Sequence, residues 1–223
     1  MYYVKVLSVL NTAGSPEMNT YRFTFRYNPA FCISFNKEEI VMAKLSVGER
    51  LPNFTFDTHL RDKLDSLSVL NGKTVFWVLR YIGCTVCRYD VHLIAKRYEE
   101  FREKGAQVFV VMQSDREHVQ NDLAKTETVL PFEIICDPDA KIYDLLSIEP
   151  AADMQSLVGN DMDALREKGK NAAECGFSHG DYEGNEQQLP AMFIVNQDGI
   201  VEYAHYASSI VDMPSVSEVL SLL

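Results

Sequence analysis

From Thr74 the chain reads Thr-Val-Phe-Trp-Val-Leu-Arg-Tyr-Ile, β-branched, aromatic and nearly uncharged, which predicts a buried central strand over 74–82. After Gly83-Cys84-Thr85-Val86-Cys87 the period changes. Val91, Ile94, Ala95, Tyr98 and Phe101 now fall at three- and four-residue steps, the apolar face of a helix ending near Lys104-Gly105. The two cysteines therefore stand at a strand-to-helix joint, at or just inside the first helical turn. Unpaired N–H groups and the positive end of the helix dipole favour a thiolate there.

The same reading extends in both directions. Phe54 to Thr58 alternates as a short strand, Asp62 to Leu70 suits an edge hairpin, and Asn71-Gly72 is a turn. Ala106 to Met112 is a second buried strand, and Ser114-Asp115-Arg116-Glu117 has capping-box spacing for a helix through about Lys125. Pro131 to Cys136 is a shorter strand, followed by Asp137-Pro138-Asp139 and a short helix over 140–146. Ala191–Val195 and Ile200–His205 flank Asn196-Gln197-Asp198-Gly199 as a hairpin, and a last helix runs from about Pro214 to Leu223. Strand, helix, strand, helix implies a parallel, right-handed crossover, and the hairpin adds antiparallel strands. The expected class is α/β: a central mixed β-sheet with helices on both faces. Residues 149–189 interrupt it as an insertion. Leu157, Val158, Met162 and Leu165 predict one or two short helices there, and Gly176 to Gln188 a polar loop of the kind that forms lids or surface elaboration.

Residues 1–41 differ in texture. Tyr2 to Leu10 could be a strand but is too short in its apolar core for a signal peptide, and Asn28 to Ile33, which includes Cys32, shows no period. Lys37-Glu38-Glu39 can be encoded AAG-GAG-GAA, a purine-rich ribosome-binding sequence, a short spacer ahead of Met42. The expectation is that residues 1–41 are a non-native or disordered extension and that the domain occupies 42–223. A GGAGG-like element in the DNA upstream of the Met42 codon would support that start, and its absence would remove the idea.

Composition narrows the function. The chain has 223 residues, 47% hydrophobic and 24% charged, as in an ordinary globular protein. A net charge of -11 argues against a phosphate-binding surface, so no nucleic acid partner is expected. No apolar run approaches the roughly 18–20 residues that span a bilayer, so no membrane partner is expected either. Five cysteines with one close pair make a poor disulfide framework and fit a reducing, cytoplasmic setting.

The Cys84–Cys87 spacing admits three readings. A zinc site needs further ligands, yet no second cysteine pair exists and His59, His92, His118, His179 and His205 are scattered. Two neighbouring buried thiols would be inert. A Cys-x-x-Cys at a strand-to-helix joint of a βαβ unit is also the form of a redox pair.

Trp77 to Arg88 with its following helix, Gln107 to Val111, Asp137-Pro138-Asp139, Leu189 to Val195 and Asp198-Gly199 together resemble the thioredoxin-like fold. More closely they resemble the alkyl hydroperoxide reductase/thiol-specific antioxidant group, and within it the peroxiredoxin-like 2 branch. The resemblance covers Met42 to about Leu223. It implies that Cys84 is the attacking thiolate, that Cys87 releases the mixed disulfide, and that Pro190 follows a cis peptide bond against the pair. Thr85, Tyr81, Arg80 and Arg88 are supporting candidates, with Tyr81 packing over the pair and the two arginines flanking it. Cys175 is a candidate extra thiol, while Cys136 and His92 read as core and helix-surface residues.

The chain departs from the peroxiredoxin pattern in two places. That pattern aligns its peroxidatic cysteine with Cys87, a Thr or Ser three residues earlier and a proline before that; here those positions hold Cys84 and Arg80. A distant arginine normally supports the peroxide oxygens, and after Arg116 only Arg166 remains, in the insertion. Disulfide exchange survives these departures better than peroxide reduction. The expected activity is that of a thiol–disulfide oxidoreductase without cofactor or metal, acting on a protein or small-molecule disulfide and recharged by a cellular thiol reductant. The alternatives are a thiol-dependent hydroperoxide reductase (a peroxiredoxin-type antioxidant) and a non-catalytic binding protein.

Overall fold

The computed structural model describes residues 43–223. The expectations for residues 1–41 and the start at Met42 lie outside the described residues. Seven strands and seven helices follow in chain order: β1 Thr55–Thr58, β2 Leu64–Asp65, β3 Lys73–Val78, α1 Thr85–Lys96, α2 Tyr98–Glu103, β4 Ala106–Met112, α3 Arg116–Lys125, β5 Glu133–Cys136, α4 Lys141–Leu145, α5 Met154–Val158, α6 Met162–Glu174, β6 Ala191–Val195, β7 Val201–Tyr206 and α7 Val216–Leu222. They build one sheet in the order β2-β1-β5-β4-β3-β6-β7. β3, β4 and β5 run parallel, whereas β6 and β7 on one side and β1 and β2 on the other pair antiparallel.

The mixed sheet and its two covered faces follow from the side-chain alternation of β3. Val75 and Trp77 point into a core shared with Val91 and Ile94 of α1, Phe101 of α2, Val119 of α3 and Val219 of α7. Phe76 and Val78 point the other way, onto Ile142 and Tyr143 of α4 and Leu51. With both faces buried, a continuous apolar run is what β3 requires. Each large side chain so buried contributes about 1.5–3 kcal/mol.

Four local expectations are corrected. The strand predicted through Ile82 ends at Val78. Leu79 N–H still reaches Val111 O at 2.9 Å, but the carbonyls of Leu79 and Arg80 then turn to the Tyr143 hydroxyl and to Gln113 N–H, at 2.8 Å for the latter. The single helix predicted to Lys104 breaks at Arg97 (φ -117°, ψ 16°), whose guanidinium forks onto Glu100 and reaches Ser217 of α7 at 2.6 Å. The cap of α3 is Asp115, which accepts His118 N–H at 2.8 Å. Ser114 is unavailable because its hydroxyl accepts Ile82 N–H at 2.9 Å.

Pro190 is the fourth. No cis peptide bond occurs among the described residues, so Leu189–Pro190 is trans, the isomer X–Pro bonds prefer. Its flanking carbonyls are satisfied in that form: Pro190 O accepts Ala207 N–H at 3.1 Å and Leu189 O accepts Gln188 Nε2 at 3.2 Å.

The insertion leaves and rejoins the fold at a closed neck. Pro150 and Gln188 form a β-bridge, and Ala151 N–H donates to Gln187 O at 2.8 Å. Within it, α6 lies along α1, and Lys168 reaches the buried carboxylate of Asp90 at 2.7 Å.

Candidate active site

The loop Leu79–Gly83 carries the chain from the end of β3 into α1, and Cys84 is the residue that starts the helix, in extended conformation (φ -73°, ψ 117°). Cys87 lies one turn in. Both are free thiols and only 3% exposed. Tyr143 sets the loop from below: fully buried, its hydroxyl donates to the Leu79 carbonyl, with the carbonyl oxygens of Val111 and Arg80 at 3.3 and 3.5 Å. Asp137 holds α4, and so Tyr143, by accepting Lys141 N–H at 3.0 Å and Ile142 N–H at 2.7 Å. That capping role accounts for Asp137 of the Asp-Pro-Asp run.

The two sulfurs are electrostatically unlike. A hydrogen bond from the Cys87 thiol, opposed by burial and helped by the Arg80 guanidinium and the Cys87 backbone N–H, brings Cys84 down to about 6. Burial, followed by its donation to Cys84, pushes Cys87 well above the ordinary thiol range. One sulfur is thus ready as a thiolate while its neighbour keeps a proton. Arg80 makes the difference concrete. It is buried, its Nη1 donates to Cys84 Sγ at 3.7 Å, and among the described residues its Nε has no hydrogen-bond partner and no carboxylate pairs with it. A desolvated cation without a partner is costly, and an anionic sulfur offsets that cost.

The remaining sequence candidates divide. Tyr81 is fully buried; its guanidinium neighbour Arg80 lies 5.1 Å from its ring, and its hydroxyl meets His179 Nε2 at 3.3 Å. Burial raises the Tyr81 phenol, opposed by the Arg80 guanidinium and aided by the charge on Cys84. Thr85 opens α1 half-buried. Arg88, in contrast, turns away from the sulfurs, pairing with Asp122 of α3 at 3.0 Å and donating to Ser178 O at 3.1 Å. Pro190 is buried one residue beyond the Val78–Ala191 pair, so the register puts it beside Leu79 at the same end of the sheet as the cysteines. Cys175 is exposed at the C-terminal end of α6, and among the described residues no hydrogen bond links it to the pair. Burial pushes the Cys136 thiol up, and His92 stacks on Tyr89 and meets Phe177 edge-on.

Sequence reasoning missed Tyr143, Ser114, Gln113 and Glu183. Ser114 links Ile82 N–H to the Glu183 carboxylate, at 2.9 and 3.1 Å. Its place two residues after a buried strand was the available signal, though capping-box spacing gave it another role.

Residues 47–204 match the AhpC/TSA family. The chain belongs to that family. It is also similar to the thiol-disulfide oxidoreductase ResA of Bacillus subtilis, 26% identical over 124 residues that make up 56% of this chain and 64% of ResA, so the match spans less than two thirds of that relative. A yeast mitochondrial 1-Cys peroxiredoxin shares the fold with a TM-score of 0.56 at 19% identity, over 79% of this chain and 73% of that one. A peroxiredoxin-like protein from Aquifex aeolicus does so with a TM-score of 0.56 at 16% identity, over 82% and 91%. These likenesses carry the thioredoxin-like fold expected from the sequence. Among the described residues no helix is long and apolar enough to cross a membrane.

Proposed function

We propose that this AhpC/TSA protein is a thiol–disulfide oxidoreductase in which Cys84 attacks and Cys87 resolves. The observation that carries the reading is the buried Arg80, which has no carboxylate partner among the described residues, donating to Cys84 Sγ at 3.7 Å. The Cys84 thiolate displaces one sulfur of a substrate disulfide, which leaves as a thiolate, and a Cys84 mixed disulfide forms. Cys87 then attacks Cys84 Sγ, its proton passing to the second departing sulfur, and the Cys84–Cys87 disulfide results. A cellular thiol reductant returns the pair to thiols by the reverse exchange. Tyr81, Thr85 and Pro190 serve as positioning residues, and no cofactor or metal enters the cycle. A reducing compartment such as the cytoplasm suits a chain of five cysteines with one close pair.

Family membership favours a second use of the same pair, hydroperoxide reduction. There the thiolate takes the distal peroxide oxygen as the O–O bond breaks, the alcohol leaves with a proton, and the Cys87 thiol condenses with the sulfenic acid, releasing water. The peroxiredoxin pattern sets its peroxidatic thiolate at the position of Cys87, which burial keeps protonated here, and position 84 holds a cysteine in place of Thr or Ser, so this is the slower reaction. Stopped-flow oxidation by hydroxyethyl disulfide and by hydrogen peroxide separates the two. A fast disulfide reaction lost in Cys84→Ser, with peroxide oxidation near that of free cysteine, is expected. Peroxide oxidation several orders of magnitude above free cysteine would install the peroxidase instead.

A further inference from the structure

Residues 176–188 contain no helix or strand, yet they are held along their whole length, and mostly by their main chain. Gly180 N–H donates to Gly83 O at 2.8 Å, Arg88 donates to Ser178 O at 3.1 Å, and Gln113 accepts Asn185 N–H at 2.9 Å while its amide donates back to Asn185 O at 3.4 Å. The approach at Gly83 is close enough that a Cβ there would stand 2.0 Å from Asp181 O. Glu183, whose side chain is 8% exposed, anchors the middle through the Ser114 hydroxyl at 3.1 Å, with His118 Nδ1 3.7 Å away. His179 and Tyr182 lie over Tyr81, their rings 6.1 and 6.5 Å from it.

These partners belong to the segment carrying Cys84, to the end of β4, to the first turn of α1 and, for His118, to the first turn of α3. The strap therefore sits on the approach to a pair that is only 3% exposed. Disulfide exchange needs direct sulfur–sulfur contact, so access limits its rate. A small oxidant needs only a local parting between the strap and Gly83. A disulfide set in a folded protein brings surface on both flanks and needs the whole strap released, including the Glu183 anchor.

We infer that residues 176–188 form a substrate-selecting lid. Resting on the thiol chemistry proposed above, the lid makes low-molecular-weight disulfides or hydroperoxides the favoured oxidants and holds off disulfides of folded proteins. Glu183 is a positioning residue of the lid and takes no part in the exchange itself. The neck at Pro150–Gln188 keeps the opened strap tethered.

The test uses the full chain, pre-reduced, in single turnovers with excess hydroxyethyl disulfide, hydrogen peroxide or insulin. Formation of the Cys84–Cys87 disulfide is followed by its two-hydrogen mass loss, and each rate is normalised to that of dithiothreitol with the same oxidant. The wild type is expected to favour hydroxyethyl disulfide over insulin. Glu183→Ala is expected to raise the insulin rate about tenfold, equivalent to about 1.4 kcal/mol of lost anchoring, with the hydroxyethyl disulfide rate nearly unchanged. Gly83→Ala, which pushes the strap off sterically, is expected to shift the ratio in the same direction. The two small oxidants distinguish an S–S from an O–O substrate. An insulin-to-small-disulfide ratio equal in all three proteins, or a wild type with no preference, overturns the lid alone. Failure of every oxidant to produce the Cys84–Cys87 disulfide overturns the thiol-redox reading and the lid with it.

Discussion

The cysteine pair has a floor and a roof, and they are built by different means. The floor is β3, α1 and α4: ladder hydrogen bonds, a doubly buried strand and the Tyr143 hydroxyl fixing the loop carbonyls. The roof is residues 176–188, a segment without internal periodicity held by a few hydrogen bonds shared with Arg88, Gln113, Ser114 and the Gly83 carbonyl. Loss of one floor contact exposes a desolvated group with no substitute, whereas loss of one roof contact leaves its neighbours to hold and water to replace it. The floor is where the chemistry is fixed. The roof is where access is set, and segments of low local stability suit that task.

Substitutions in each should separate the two roles. Arg80→Met removes the cation beside Cys84 and should have the largest effect on the chemistry. The Cys84 thiolate, brought down to about 6 in the native protein, is present above that pH and lost as pH falls through it. Without Arg80 the midpoint should rise, leaving less of the thiolate at neutral pH. A thiolate absorbance titration at 240 nm reads this directly, and an unmoved midpoint would leave Arg80 without its role. Tyr143→Phe should come next, costing about 1–3 kcal/mol of stability because the Leu79 carbonyl is left buried without its donor. Urea denaturation measures it; a change below about 0.5 kcal/mol would mean that the floor does not depend on this hydroxyl.

Gln113→Ala acts on the roof alone and should be the mildest. Stability should fall by less than about 1 kcal/mol, while amide exchange at residues 178–186 quickens and that of β3 and β4 stays as it was. Equal quickening in both regions would erase the distinction between roof and floor.

The same division explains what the sequence disclosed. The run Thr74–Val78 and the spacing of Val91, Ile94 and Phe101 state the floor outright, because burial on a strand or a helix face imposes a period on residue type. The Cys-x-x-Cys joint was legible for the same reason. The grip on the strap was not, since a bond to a backbone N–H or carbonyl leaves no mark on the residue that supplies it. Gly180, Ser178 and Asn185 read as loop residues whether or not they cover a site. Arg88 illustrates the limit at closer range. Adjacent to Cys87 in sequence, it is turned by the helix toward Asp122 and Ser178, whereas Arg80, four residues before Cys84, is folded back onto the sulfur.

The most direct test of the chemistry traps its first step. Protein carrying Cys87→Ser and Cys175→Ala, treated with hydroxyethyl disulfide and mapped by peptide mass, should carry one mercaptoethanol adduct on Cys84 in near-stoichiometric yield. The reciprocal Cys84→Ser protein should carry none on Cys87. An adduct that forms as readily on Cys87, or a Cys84 thiol left intact while other cysteines react, would contradict the assignment of Cys84 as the attacking thiolate.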